Sequence, residues 1–236
     1  MSHYLEWSRA YSHRLNAADA APLQARAAEL GVRLERELAQ GVLPFLSMPY
    51  RATLERDLPP TLEKVRTRRH MVVLGIGGSA LGARALQKAF APGQDRPGHD
   101  GPCLWIADNV CAEEFEALLG SLDAADTSVV CISKSGGTIE TLAQYFLVRQ
   151  WLQDALGQGW HDHMVVVTDA TSGYLRQEAT LHGLASLEVP DHLGGRYSVL
   201  SAVGLLPAGF LGIDWQALLD GAASVARQLV ENPRAM

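Results

Sequence analysis

The sequence has no excess of positive charge, no paired cysteines and no apolar run long enough to cross a bilayer. Each absence removes a class of function. Twenty Lys and Arg stand against 26 Asp and Glu, a net charge of -6. No basic stripe exists to neutralise phosphates, so no nucleic-acid partner is expected. Three cysteines, Cys103, Cys111 and Cys131, form no C-x-x-C pair. Cys103 and Cys131 lie in apolar runs and are expected as buried, inert thiols rather than disulfides or metal ligands. The nearly uncharged run from Tyr197 to Ile213 is too short to span a bilayer and is interrupted by Pro207, so it is expected as a core helix and no membrane is implied. The first residues are polar and bear His and Tyr, unlike a signal peptide, and a cytoplasmic protein is expected. His70, His99 and His182 are scattered, and His161-Asp162-His163 offers only an H-x-H without further ligands. Surface or turn positions are expected for the former, and no metal site is expected.

What is present is a chain of 236 residues, 47% hydrophobic and 19% charged, suited to a globular α/β core. Residues 1 to about 40 read as helices. Ala21 to Leu38 carries Leu23, Ala27, Leu30, Leu34 and Leu38 at helical spacing, and Gly41 and Pro44 stop it. Asp57-Leu58-Pro59-Pro60 then opens a short helix reaching Thr67. Residues 1–67 are therefore expected as a helical segment packing on a domain of residues 68–236. From Met71 the pattern becomes strands alternating with helices. The strands are Met71–Gly75, Leu104–Ala107, Ser128–Ile132, Met164–Thr168 and Ser186–Val189. The helices run at about Leu81–Ala91, Glu113–Leu119, Thr138–Leu156 and Gly173–Leu181, with a last one from Asp214 to Val230. This alternation predicts an α/β fold, a three-layer doubly wound sandwich around a five-stranded parallel sheet. Ligands in such sheets bind at the carboxyl ends of the strands.

Three strand-end motifs carry the chemistry. The third strand runs into Ser133-Lys134-Ser135-Gly136-Gly137-Thr138, a turn that opens a helix with Glu140 in its first turn. Hydroxyls and free amides at the positive end of a helix make a receptor for phosphate. Ser, Thr and Gly are also what ordinary turns and caps are made of. The first strand ends in Gly75-Ile76-Gly77-Gly78-Ser79-Ala80, which fits the dinucleotide pattern G-x-G-x-x-A. A nicotinamide-dependent oxidoreductase is thus a rival reading. Against it, the acidic residue expected about twenty positions on is displaced, with Asp95 in a loop and Asp108 further along. Two polar loops side by side better suit a phosphate monoester and the polar body of a sugar. Third, Gly194-Gly195-Arg196-Tyr197-Ser198 lets the backbone run close to a ligand and offers a permanently charged, planar fork of donors.

Gly75-Ile76-Gly77-Gly78-Ser79-x-Leu81-Gly82, Ser133-Lys134-Ser135-Gly136-Gly137-Thr138-x-Glu140-Thr141 and Leu193-Gly194-Gly195-Arg196-Tyr197-Ser198-x-x-Ser201-Ala202-x-Gly204 together resemble the glucose-6-phosphate isomerase family, in its shorter bacterial form. The likeness runs from the N-terminal helices to near residue 230. It implies a sugar-isomerase (SIS) domain acting on a hexose 6-phosphate without cofactor or metal, in an enzyme that is a homodimer. It further implies that Ser79, Ser133, Ser135 and Thr138 are the phosphate-binding hydroxyls and that Lys134 lends its backbone amide. Gly78 and Gly195 would let the chain approach the sugar. Arg196 would stabilise the enediolate formed as a proton moves between C1 and C2, where negative charge develops on oxygen. The family's chain is about twice as long. Its glutamate base, a histidine from the neighbouring subunit and a lysine near the C-terminus all follow in a second domain. The present chain is therefore expected to correspond to the N-terminal portion and to be inactive alone. A non-catalytic sugar-phosphate-binding module is the second reading, and the oxidoreductase the third.

Overall fold

The computed structural model describes residues 17–94, 96 and 98–231. The expected helicity of residues 1–16 lies outside the described residues. The chain divides into two units, one of residues 44–222 and one of residues 1–43 with 223–236. In the second unit, α1 (Ala17–Ala39) is a single long helix.

The first unit is built on β1 (His70–Leu74), β2 (Cys103–Ala107), β3 (Thr127–Ser133), β4 (Met164–Thr168) and β5 (Ala185–Glu188). All pairings are parallel and the spatial order is β2-β1-β3-β4-β5. The central strands are apolar on both faces, as a parallel sheet covered on both sides requires. Side chains alternate between the two faces. Met71, Val73, Val130, Ile132, Val165 and Val167 enter one core, and Val72, Leu74, Val129, Cys131, Met164 and Val166 enter the other. Cys103 and Cys131 are buried as expected, and burial pushes the Cys131 thiol well above its ordinary value.

The first core is closed by α2 (Ala52–Val65) and α7 (Ala202–Phe210), with α3 (Gly78–Phe90) packed on α7. The second is closed by α4 (Ala112–Gly120), α5 (Ile139–Leu156) and α6 (Tyr174–His182). The last helix, α8 (Trp215–Glu231), begins within one residue of its expected start.

Two helices differ from the sequence reading. α2 begins at Ala52, not at Asp57, and holds Pro59 and Pro60 inside it. A proline inside a helix costs about 3 kcal/mol. Leu54, Leu58, Leu62 and Val65 lie on one buried stripe, and each such side chain contributes about 1.5–3 kcal/mol. Burial outweighs the two missing amide donors. The run from Tyr197 to Ile213 is not one helix. It opens with a 3-10 turn, Gly195–Tyr197, and becomes α-helical only at Ala202. The Ser198 hydroxyl donates to Gly195 O at 2.6 Å and the Ser201 hydroxyl to Ser198 O at 2.7 Å. Such side-chain bonds compete with helix formation, and Ser201 instead caps Val203 N.

Candidate functional site

In the order β2-β1-β3-β4-β5, the chain passes from one side of β1 to the other, so β1 and β3 flank the topological switch point. Open α/β sheets bind ligands in the crevice at that point, beyond the carboxyl ends of the strands. The loop after β1 carries Gly78 and Ser79, and the loop after β3 carries Ser133 to Thr138. Leu74 lies opposite Cys131 in the ladder, so the two loops leave the sheet side by side.

The β3 loop is tied down from within and from β4. Thr138 occupies the N-cap of α5 yet makes no capping bond. Its hydroxyl pairs instead with the Ser133 hydroxyl at 2.9 Å. The first amides of this 18-residue helix therefore receive no capping bond from the Thr138 side chain, at the positive end of its dipole. Ser133 is only 2% exposed and backs Thr138 from the interior. Ser135 is exposed, and its hydroxyl accepts a bond from Gly137 N at 3.3 Å. Glu140 lies in the first helical turn, as expected. Gly136 takes a left-handed φ of +64°, and a methyl there would stand 3.0 Å from Thr168 Oγ1. Only glycine suits both conditions. Thr168 Oγ1 donates to Ser133 O at 2.7 Å, and Leu175 N donates to Gly136 O at 3.1 Å.

Beside this loop, Asp169 ends its strand as a turn-former. It accepts from the amides of Thr171 and Ser172 at 2.9 and 2.8 Å, and from both their hydroxyls. The backbone donor Thr171, followed by Ser172, holds its carboxyl down at about 2.

The β1 loop and the arginine loop meet backbone to backbone. A methyl on Gly78 would stand 2.5 Å from the carbonyl carbon and oxygen of Gly195 and 3.0 Å from Arg196 N. Ser79, half-buried, follows in the first turn of α3. Arg196 is exposed, and its guanidinium has no hydrogen-bond or carboxylate partner among the described residues. Its neighbour Tyr197 stacks on Phe45, with ring centroids 5.5 Å apart. Gly78 is thus brought against Gly195 and Arg196, which the sequence holds in a separate motif, while Ser133 and Thr138 pair within a single loop.

The Lys134 side chain was not singled out by sequence. Its Nζ donates to Leu193 O at 2.9 Å, across 59 positions of chain. No local pattern marks such a bond. Two histidines also differ from expectation. His70 is half-buried and accepts a bond from Trp105 Nε1 at 3.2 Å, and burial lowers its pKa. His182 lies at the end of α6, 5.3 Å from the Trp160 ring and 3.6 Å from Glu178. Packing against α5 and its following turn draws in what looked like a surface residue. Asp108, displaced in sequence count, directly follows β2, where a dinucleotide protein holds its ribose-binding acid. The long loop before β2 had lengthened the count. Arg84 engages that carboxylate at 2.8 Å, leaving it committed.

The fold and its loops define a doubly wound α/β domain with polar, glycine-rich loops side by side at the switch point. The chain belongs to the phosphoglucose isomerase family, whose sequence profile it matches over residues 63–235. That span holds all three motifs. Among similar proteins is a glucose-6-phosphate isomerase of Thermus thermophilus, 43% identical over 70% of this chain and 41% of its own length. Another, from Carboxydothermus hydrogenoformans, is 34% identical over 93% of this chain and 50% of its own. The crystal structure of a glucose-6-phosphate isomerase from Chlamydia trachomatis superposes with a TM-score of 0.74 at 25% identity, covering 92% of this chain and 47% of that one. The chain spans about half the length of the curated relatives it matches. No helix among the described residues is long and apolar enough to cross a membrane.

Proposed function

We propose that this chain supplies the phosphate-binding and arginine-bearing part of a cytoplasmic, homodimeric aldose–ketose isomerase interconverting glucose 6-phosphate and fructose 6-phosphate. One observation carries the reading. Thr138 turns away from its own helix, leaving the start of α5 open at the switch point, while Arg196, without a side-chain partner among the described residues, lies on a loop in contact with the neighbouring β1 loop. In this reading Ser135, Thr138 and Ser79 meet the phosphate with the first amides of α5, Ser133 holds Thr138 in orientation, and the Lys134 amide completes the loop. Gly78 and Gly195 keep the wall thin enough for the sugar to lie against it. Arg196 opposes the charge that develops on oxygen in the enediolate-like transition state.

Moving a proton between C1 and C2 needs a base whose pKa lies near working pH. Asp169 is unsuited, because four donors converge on its Oδ1 and hold the carboxyl near 2. Glu140 is accounted for by the first turn of α5. The 236-residue chain alone should therefore bind fructose 6-phosphate without efficient turnover, since absent general acid–base help typically forfeits about 10²–10⁴ in rate. Calorimetry with fructose 6-phosphate and a coupled isomerisation assay test this together. Absence of sugar-phosphate binding would overturn the reading. Turnover in the ordinary enzyme range would assign the base to these residues.

A further inference from the structure

The arginine loop and the phosphate loop are joined by one long side chain. Lys134 is held at both ends: its carbonyl accepts from Asp169 N at 3.1 Å, and its ammonium donates to Leu193 O at 2.9 Å. Leu193 is fully buried, and its carbonyl immediately precedes Gly194-Gly195-Arg196. The two glycines are exposed and flexible in backbone. Without a hold on the residue before them, they would let the arginine wander. A second hold comes from Gly78, whose backbone lies against Gly195. Because Arg196 has no side-chain partner among the described residues, its aim is set by its main chain.

We propose that Lys134 is a positioning residue that sets the Arg196 loop relative to a phosphate held in the Ser133–Thr138 loop. The proposal rests on the isomerase reading above and deepens it. Lys134 acts through Leu193 O, so the distance between anchored phosphate and guanidinium is fixed by a lysine inside the phosphate loop itself. A ligand that spans both loops feels this distance. A bare anion does not.

The test compares two ligands on the 236-residue chain and on Lys134→Met and Lys134→Arg. Calorimetry with inorganic phosphate reads the phosphate loop, and calorimetry with fructose 6-phosphate reads both. Losing a hydrogen bond from a charged donor should lower fructose 6-phosphate affinity about tenfold or more in Lys134→Met. Phosphate affinity should fall less than about threefold, as for a screened charge. Lys134→Arg, which keeps a cationic donor, should recover most of the loss. Equal losses for both ligands would make Lys134 a direct phosphate ligand and overturn the proposal, as would no loss for either. Hydrogen exchange supplies a readout independent of ligand. Amides of residues 194–198 should exchange about tenfold faster in Lys134→Met, relative to β4 amides in the same sample. Unchanged exchange, or equal acceleration in β4, overturns the tether. If the unaltered chain binds neither ligand, the isomerase reading fails, and the exchange comparison still decides the role of Lys134.

Discussion

The two halves of the crevice are held in opposite ways. The Ser133–Thr138 loop is held largely by itself and by the adjoining strand: Ser133 to Thr138, Ser135 to Gly137, Thr168 to Ser133. The arginine turn has its own serine bonds, but its place is set by distant residues: Gly78, Lys134 and the ring of Phe45. The first half can keep its shape wherever a strand runs into such a helix. The second exists only when three separate parts of the chain meet. In the proposed isomerase reading, the first half would cradle the phosphate and the second would place a donor at a set distance from it.

The largest effect that would sharpen this contrast lies at Arg196. In a preparation that turns over fructose 6-phosphate, Arg196→Lys should lower kcat about 100-fold and change KM little. Lysine keeps the charge and loses the planar fork. An unchanged kcat with weakened substrate binding would make Arg196 a binding residue instead. Its stability should stay within about 0.5 kcal/mol, because the side chain is exposed and has no partner among the described residues.

Ser135→Ala combined with Thr138→Ala should weaken inorganic phosphate and fructose 6-phosphate alike, by tenfold at least, since each bond to a charged group contributes about 1.5–3 kcal/mol. A dissociation constant unmoved in calorimetry would remove both hydroxyls from the phosphate site. Gly78→Ala attacks the other half. Its methyl would enter the space of Gly195, and such overpacking costs about 1–3 kcal/mol. Thermal unfolding should drop by roughly 3–10 °C, with a greater loss of sugar-phosphate than of phosphate affinity. Equal losses would show that the two loops are not separable.

The smallest effect is a pH dependence at the turn beside the phosphate loop. Asp169 is held at about 2, below its ordinary 3.8, by amide donors that need the charged form. Its stabilising contribution is therefore complete above the ordinary value and is lost as pH falls through about 2. The amide signals of Thr171 and Ser172 should titrate with a midpoint near that lower value in NMR. A midpoint at the ordinary carboxylate value would mean that these bonds do not hold the turn.

The continuous apolar runs of β1, β3 and β4, and the glycine and hydroxyl punctuation after them, by themselves determined the parallel sheet and the position of the Ser133–Thr138 loop. Both follow from rules that act within a few residues: the unbroken apolar run of a strand covered on both faces, the stop at a strand end, the open start of a helix. The limits of α2 and α7 were less legible. Burial of Leu54 and its stripe overrode two prolines in one, and serine bonds delayed the helix in the other. Only the tertiary structure decided that Thr138 would turn to Ser133, that Gly78 would touch Gly195, and that Lys134 would reach Leu193. The last two span 117 and 59 positions of chain. Contacts at such separations leave no period in the sequence, because they arise when the sheet brings its strand ends to one edge and the chain has no other place to put them.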